Sequence, residues 1–391
     1  MASGPRGGCP HAGHRGPLRR SAGRPHPSRV DRVRDVRRRS RLVRAAPAAP
    51  RFSDAVDARV PRRSGWAGIL LAACLLWLWA RPASAQEEFL NLANPELGKI
   101  LIRSEYRITW VPDQPVKDQP AELGWFQQDF SLSGPLYQSA SDEWYASFRI
   151  RNYQYDTDAI LPDTDEPFPD ELWNIRFGTG YRHRFESGWI GALEVTVGSP
   201  SDKPFASIEE MDINATAFLR VPARGKDAWL YFLNYGSNRE FWPNIPLPGF
   251  GYQWEPSDQL SAIITTGVLS LTYKPIDTLT LSALYVAVRT VDVRLTYQLF
   301  RPVRLWIGFD WTNDRFLRAE RANPDDRLFY YEKRVRAGVI IGLARWLFTD
   351  ITGGYSFDRF YFEGESYSDR NQNRIDVDSG PFVQFRVGAR F

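Results

Sequence analysis

Cysteine and histidine are almost missing from this chain of 391 residues. Both cysteines, Cys9 and Cys74, lie in the first 85 residues, and of four histidines only His183 comes later. A disulfide framework or a cysteine-ligated metal site is therefore excluded beyond residue 85. A chain without thiols in that part is also suited to export into an oxidising compartment.

Long apolar runs are missing as well. After Gln86 no uncharged stretch reaches the roughly 18 residues that a membrane-spanning helix needs. The longest, 259–273, has 15 residues and is rich in Ser, Thr and Gly. The sequence beyond the leader therefore predicts no transmembrane helix.

Charge is divided unevenly along the chain. Of the 50 basic residues, 18 are arginines within 1–85, where only 4 acidic residues stand against them. The remaining residues hold 32 basic and 42 acidic side chains, which gives a net charge of −10. Because this part is acidic, we expect no nucleic-acid partner.

Residues 61–88 have the pattern of a secretory signal peptide. Arg62 and Arg63 precede the apolar stretch 66–80, and small residues then lead to a cleavage site between Ala85 and Gln86. An alternative is a lipoprotein signal, in which Cys74 would be acylated and become the first residue. The apolar residues that follow Cys74 argue against it, since a polar tether belongs there.

The first 60 residues are rich in Arg, Pro, Gly and Ala and have no hydrophobic period, so they cannot form a core. Because a signal peptide starts close to its charged region, we expect the true start near Val60 and regard the preceding residues as a mis-called start. The alternative is a disordered basic extension.

The body of the chain alternates apolar and polar residues with a period of two, which predicts β-strands. The clearest stretches are 291–300, 303–311, 331–341 and 383–391. A soluble β-sandwich would bury the apolar face, whereas a membrane barrel turns it to lipid. The signal peptide and the aromatic content of 14%, with Trp and Tyr near strand ends, favour the barrel.

The fold that we expect is an all-β, transmembrane antiparallel β-barrel of about 14 strands, within a range of 12–16. Connection lengths taken literally give 16 strands with both termini on the periplasmic side. The weak points of that count are 259–274, which could be one bent strand, and 134–142, which is long for a periplasmic turn. The predicted organisation is a basic extension (1–60), a signal peptide (61–85), a short periplasmic segment (86–100) and the barrel (101–391).

The last strand ends on Phe391 after alternate apolar residues, and it resembles the closing strand of bacterial outer-membrane proteins. That resemblance implies that Phe391 is an assembly signal and that the barrel-assembly machinery is a partner. The part from Pro248 to the end, with PGFGYQW at 248–254 and Pro256-Ser257-Asp258, also resembles an uncharacterised family of bacterial outer-membrane barrels. It implies an outer-membrane location, with lipid and lipopolysaccharide as surroundings, and no assigned activity.

The inward face of the late strands is predicted to be charged. The candidate lumen-lining residues are Asp292, Arg294, Arg304, Asp310, Glu332, Arg334, Arg336, Asp350, Asp358, Arg386 and Arg390. They either line a water-filled pore or pair across a narrow, closed lumen. We therefore expect a porin-like channel for small solutes, or else a closed-lumen structural or adhesive barrel that acts through its loops.

Three further features are candidates for chemistry. The sequence around Asp369, Asn371, Asn373 and Asp376 has the oxygen-ligand spacing of a calcium loop but lacks its glycine, so it is a weak calcium candidate. The acidic loop 154–170 is either a cation site or a solvated external loop. His183 lies beside a periplasmic turn, where catalysis is unfavourable, and we expect neither an enzyme nor a cofactor.

Overall fold

The computed structural model describes Leu97, 101–239, 242–287 and 290–391. The predicted basic extension, the signal peptide with its Ala85–Gln86 cleavage site and almost all of the periplasmic segment 86–100 lie outside these residues, so they stay predictions. Within the described part, none of the helical segments has the length and hydropathy needed to cross a bilayer.

The described residues form nineteen strands and two short 3-10 helices. The strands are β1 (Arg103–Pro115), β2 (Glu122–Gln138), β3 (Asp142–Gln154), β4 (Ile160–Leu161), β5 (Glu166–Pro167), β6 (Glu171–Arg184), β7 (Ile190–Ser201), β8 (Asp212–Pro222), β9 (Ala228–Gly236), β10 (Leu247–Ser257), β11 (Leu260–Thr265), β12 (Val268–Ile276), β13 (Leu279–Val286), β14 (Thr290–Phe300), β15 (Val303–Phe316), β16 (Arg327–Gly342), β17 (Leu347–Gly364), β18 (Ile375–Val377) and β19 (Gly380–Arg390). The 3-10 helices are Ile208–Glu210 and Tyr367–Asp369.

Sixteen of the strands form one closed antiparallel barrel, and β4, β5 and β18 belong to its loops. β1 pairs with β19 from Arg103–Arg390 to Trp110–Val383, and this pairing closes the sheet. The prediction of an antiparallel barrel is confirmed, and the count is two above the expected 14, at the upper end of the predicted range. Residues 259–274, which the sequence left as one bent strand or two, fold into two strands, β11 and β12, joined by a turn at 266–267.

The connections at one end of the barrel are mostly longer than those at the other end. One end carries the long loops 155–170, 202–211, 237–246, 317–326 and 365–379. The other end carries turns of two to five residues, the longest being 185–189 and 223–227, in which Gly188 and Gly225 supply a positive φ. The predicted long turn at 134–142 is only 139–141, because β2 continues to Gln138. Long loops mark the extracellular end of such barrels, so both chain ends of the barrel lie on the periplasmic side.

The outer wall is an exposed apolar surface. Large side chains that point outward with 43–60% exposure include Leu132, Phe177, Leu193, Leu233, Phe250, Ile264, Ile307, Val335, Ile351 and Phe385. Tryptophans near the strand ends, such as Trp110, Trp144, Trp229 and Trp346, are exposed on the same face. An apolar band with aromatic borders is the outer surface that a lipid bilayer requires.

A hydrophobic cluster fills part of the interior at the extracellular end. Its ring contacts join Trp125 to Tyr153 and Tyr330, and Tyr361 to Tyr155 and Phe168. We call this cluster the aromatic plug, and its buried members are Val111, Val116, Leu123, Trp125, Tyr153, Tyr155, Ala159, Leu161, Phe168, Leu172, Phe316, Leu328, Tyr330, Tyr361, Ile375, Val377 and Phe382. The plug exists because the strands there turn aromatic side chains inward and because the loop 155–170 folds over them.

A second apolar cluster occupies the opposite inner wall, on β8, β9 and β11–β13. Phe218, Leu230, Ile263, Val268 and Val286 are buried within it. Next to it, Gly249 lies under the ring of Phe232, which takes the space that a β-carbon would need. The interior is thus polar on one side and apolar on the other.

We expect Gly249→Ala to lower the free energy of unfolding by about 1–3 kcal/mol, because the added methyl group overlaps the Phe232 ring. Gly353→Ala is the matched control, since nothing lies within 4 Å of its β-carbon position. Urea unfolding of the folded barrel, followed by loss of the heat-modifiable gel band, measures both. Equal midpoints for the two variants would contradict this packing.

Candidate functional site: the barrel interior

The late strands bring most of the predicted lumen residues together on the inner wall. Register pairs Asp292 with Asp310 across β14 and β15, and Asp310 with Arg334 across β15 and β16. Arg336 and Asp350 face the same side. Arg304 and Arg390 lie at the exposed periplasmic end.

Asp358 does not join this group. A register shift separates the pairs Tyr331–Phe360 and Lys333–Phe357, and Asp358 has a φ of 53° within it. Its carboxylate binds Lys333 at 2.6 Å, and Lys333 belongs to the outward-facing positions of β16. The irregularity thus moves Asp358 to the outer face, which strict alternation could not predict.

A tryptophan organises the central part of the charged wall. The Arg294 guanidinium stacks 3.9 Å from the centre of the Trp306 ring, and Arg336 approaches the same ring at 5.3 Å. Arg336 binds Asp310 at 2.7 Å and also Asp292. Arg294 has no carboxylate within 4.0 Å among the described residues, although Asp292 lies two positions away on the same face. One arginine in this wall is therefore not paired.

The neighbouring strands β17 and β19 continue the network. Asp350 accepts a hydrogen bond from Trp306 Nε1 at 3.0 Å and one from Arg386 at 2.5 Å. Arg386 also binds Glu105 on β1 at 3.3 Å. On β16, Arg334 binds Glu332, and Ser356 donates to that same carboxylate. The contacts of Arg386 and Ser356 cross-link strands that are adjacent in the barrel, and the bond from Trp306 to Asp350 reaches from β15 past β16 to β17.

A second charged group was missing from the sequence prediction. On β2 and β3, Asp129 accepts hydrogen bonds from Arg149 at 2.6 and 3.1 Å and from Arg151 at 3.0 Å. Arg151 then reaches Asp314 on β15 at 2.8 Å. The alternation of residues 143–153 indicates that Arg149 and Arg151 point inward. It cannot predict that Arg151 pairs with Asp314, because β15 lies six strands away from β3 around the barrel. This ion pair spans the interior just below the plug.

The extracellular loops close over the plug. Leu317 donates a backbone hydrogen bond to Pro200 at 2.7 Å, so loop 317–326 lies across the mouth from β15 to β7. In that loop Arg318 binds Glu363 of β17 at 2.7 Å and Glu166 of β5 at 2.5 Å. The three side chains therefore belong to the loops and to the rim of the barrel. Burial opposes the charge of Arg318, but the hydrogen bonds to Glu363 and Glu166 outweigh it and raise its pKa above the ordinary value. The guanidinium therefore stays charged at every physiological pH.

The acidic loop 154–170 is not a solvated loop throughout, as that interpretation required. Ala159, Leu161 and Phe168 are buried in the plug. Glu166 pairs with Arg318, and Asp163 exchanges hydrogen bonds of 2.7 and 2.6 Å with Asn373. The apolar residues between its carboxylates carry the loop inward.

The oxygens of the calcium candidate are used by other contacts. Asp369 accepts a hydrogen bond from the Ser366 amide at 2.9 Å, and Asp376 accepts two from Arg374 at 2.7 and 2.8 Å. Asn373 bonds to Asp163, and Asn371 is exposed. Within the described ranges, no group of three or more His, Cys, Asp or Glu side chains is arranged to hold a metal. Calcium binding there stays a prediction.

His183 lies at the periplasmic end of β6, as its position predicted. Its Nδ1 is 2.7 Å from Asp142, and its ring meets Phe185 edge-on at 4.7 Å. Phe391, the predicted assembly signal, stacks on Trp346 at 5.1 Å, and its backbone pairs with Ile102. This contact extends the seam between β1 and β19, while the assembly role stays a prediction.

No family model and no curated protein matches the chain. Several solved structures are similar in fold. An outer-membrane channel from Pseudomonas putida F1 has 10% identity and a TM-score of 0.34, covering 77% of this chain and 98% of its own. A FadL homologue from Pseudomonas aeruginosa has 11% identity and a TM-score of 0.35, covering 75% and 90%. The β domain of the Bordetella autotransporter BrkA has 9% identity and a TM-score of 0.29, covering 75% and 100%. Matches this distant carry no argument about function.

The closed sixteen-stranded barrel with its apolar outer band defines the class: the chain is a bacterial outer-membrane β-barrel protein. Charged residues line part of its inner wall, and long loops lie at the extracellular mouth. The expected fold and location are thereby confirmed.

Proposed function

We propose that the protein is a gated channel for small solutes, closed at its extracellular end in the conformation described here. The observation that carries the proposal is a sixteen-stranded barrel with a charged inner wall. Among the described residues, the plug and the loops above it are what obstructs its interior. Barrels of 16 strands leave an aqueous channel, whereas eight strands are filled by side chains.

The inner wall below the plug supports passage. Arg304 and Arg390 are exposed at the periplasmic end, and Arg294 is partly exposed. These charges are reachable by solvent from the periplasmic side, as the wall of a water-filled vestibule must be. A solute that enters from the periplasmic side contacts charged groups on one side of the inner wall. On the other side it contacts the apolar cluster around Leu284 and Phe232.

The plug and its ion pairs favour one other candidate, a closed-lumen barrel with a structural or adhesive role. Arg151 and Asp314 join opposite walls, and the aromatic rings above them leave side chains such as Tyr361 fully buried. If these contacts never open, the barrel conducts nothing and its loops are its functional surface.

Single-channel recording in planar bilayers separates the two candidates. For the gated channel we expect discrete but infrequent current steps from the purified full barrel. The same recording is made on a barrel in which residues 318–326 are replaced by a short Gly-Ser linker, which removes the loop that crosses the mouth. Silence from both proteins, each verified as folded by heat-modifiable migration, would favour the closed-lumen candidate.

Arg294 is expected to set ion preference, because it is the arginine of the central wall without a carboxylate partner. Arg294→Gln should shift the reversal potential in a potassium chloride gradient toward cation selectivity. Arg345→Gln, in the exposed turn 343–346, is the control and should leave it unchanged. An unchanged potential in Arg294→Gln channels would remove Arg294 from the conducting path.

A further inference from the structure

Arg359 is a buried arginine without a carboxylate partner. Its side chain belongs to β17 and is 1% exposed. Its Nη2 donates to the carbonyl oxygens of Leu123 at 3.4 Å and Asp378 at 3.2 Å, while Nε and Nη1 have no hydrogen-bond partner. No carboxylate oxygen of the described residues lies within 4.0 Å of its guanidinium. Two carbonyl dipoles are weak compensation for a full buried charge, which normally requires an ion of opposite sign.

The carboxylates nearest to the plug are bound elsewhere. Glu332 accepts from Arg334 and Ser356. Asp129 and Asp314 accept from arginines of β3. The charge of Glu332 attracts Arg359 across the plug, but Glu332 is already bound by Arg334 and accepts no hydrogen bond from Arg359, so it compensates Arg359 only in part.

Two other hydrogen-bond donors in the plug, the hydroxyl of Tyr330 and the indole Nε1 of Trp125, have no partner among the described residues. The hydroxyls of Tyr155 and Tyr361 interact with each other. Tyr361 lies two residues from Arg359 and stacks on Tyr330 at 4.7 Å, and Trp125 meets Tyr330 edge-on at 6.2 Å. The ring centres of Tyr155 and Tyr361 are 6.0 Å apart, so the rings that carry these donors form one contiguous group around Arg359.

The chemistry of this group selects the ligand. Guanidinium and indole nitrogens only donate hydrogen bonds, and a phenol hydroxyl donates readily to an anion. A cation would meet the positive charge of Arg359 with no carboxylate to hold it. We propose that the aromatic plug binds one small monovalent anion, of the size of a halide, at Arg359.

The site has a structural consequence. Arg359 is bonded to Leu123, at the start of β2, and to Asp378, just before β19. An anion that neutralises it stabilises the contacts by which the plug joins β2, β17 and the segment before β19. Because a ligand that binds only the folded state stabilises it by mass action, anion concentration should raise the stability of the closed plug.

The direct test is diffraction from crystals of the full barrel grown in sodium bromide, with data collected at the bromine absorption edge. An anomalous peak within hydrogen-bond distance of Arg359 Nε or Nη1 supports the proposal. Ordinary water density there without an anomalous peak, or no density, overturns it. This test needs no variant and no conductance, so it is independent of the proposed channel function.

A solution test compares thermal unfolding in chloride and in gluconate at equal ionic strength, since gluconate is much larger than a halide. The midpoint of the wild-type barrel should be several degrees higher in chloride, and Arg359→Met should abolish that difference. Arg390→Met, at the exposed periplasmic end, is the control and should retain it. A chloride effect that is equal in the wild type and Arg359→Met would show that the anion acts elsewhere and would overturn the site.

Discussion

Arg318→Gln is expected to raise the open probability of the barrel by about 100-fold in planar bilayers. The side chain of Arg318 is 8% exposed and holds Glu363 and Glu166 together at the mouth. Without its charge these two carboxylates repel each other, and loop 317–326 loses its anchor to β17. Removal of one partner from a buried ion pair costs about 3–5 kcal/mol, and about 3 kcal/mol is enough for a 100-fold shift between two states.

Lys203→Gln is the matched control for this experiment. Lys203, in loop 202–211, pairs with Glu320 of the loop that holds Arg318, but both side chains are largely exposed, so solvent screens the pair and it contributes little. We therefore expect less than about a fivefold change in open probability. The gate is located elsewhere if Arg318→Gln barrels, shown to be folded, open as rarely as the wild type.

Asp129→Asn is expected to lower the free energy of unfolding by about 3–5 kcal/mol, the largest stability effect that we anticipate from one substitution. Asp129 is buried and accepts hydrogen bonds from both Arg149 and Arg151. The amide removes the charge that compensates two neighbouring guanidinium groups, and an uncompensated buried charge is costly. Urea unfolding of the barrel in detergent, followed by tryptophan fluorescence, measures the loss.

A second substitution distinguishes charge from packing. Arg149→Met in the Asp129→Asn background removes the excess charge and should recover part of the stability, which a purely steric effect would not. Asp258→Asn is the external control, because Asp258 is 89% exposed in its pair with Lys226, so the substitution should leave the unfolding midpoint nearly unchanged. Failure of the double variant to recover any stability would contradict the electrostatic explanation.

The inner charged wall shows how far sequence reasoning reaches. Alternation placed Asp292, Arg294, Asp310 and Arg334 on one face because a strand repeats every two residues, and the barrel keeps that repeat. It failed at Asp358, where a register shift reverses the face. It also gave no information on Arg359, which faces the plug beyond the same irregularity.

The connections between strands show the same limit. The alternation of long and short connections predicted sixteen strands when taken literally, since loop length is visible in the sequence. The sequence does not decide whether 259–274 turns back on itself at 266–267, because a two-residue turn among Thr, Gly and Val has few distinguishing residues. Hydrogen bonding between β11 and β12 decided it.

The chain by itself determined that this protein is a barrel in an outer membrane, because strand periodicity, aromatic placement and the predicted leader are local properties of the sequence. Only the tertiary structure decided that the plug and its loops obstruct part of the extracellular end. The contacts that hold them there, Arg151 with Asp314, Arg318 with Glu363 and Arg359 within the plug, join residues far apart in the chain, and no local pattern encodes them. Closure of the sheet brings them together.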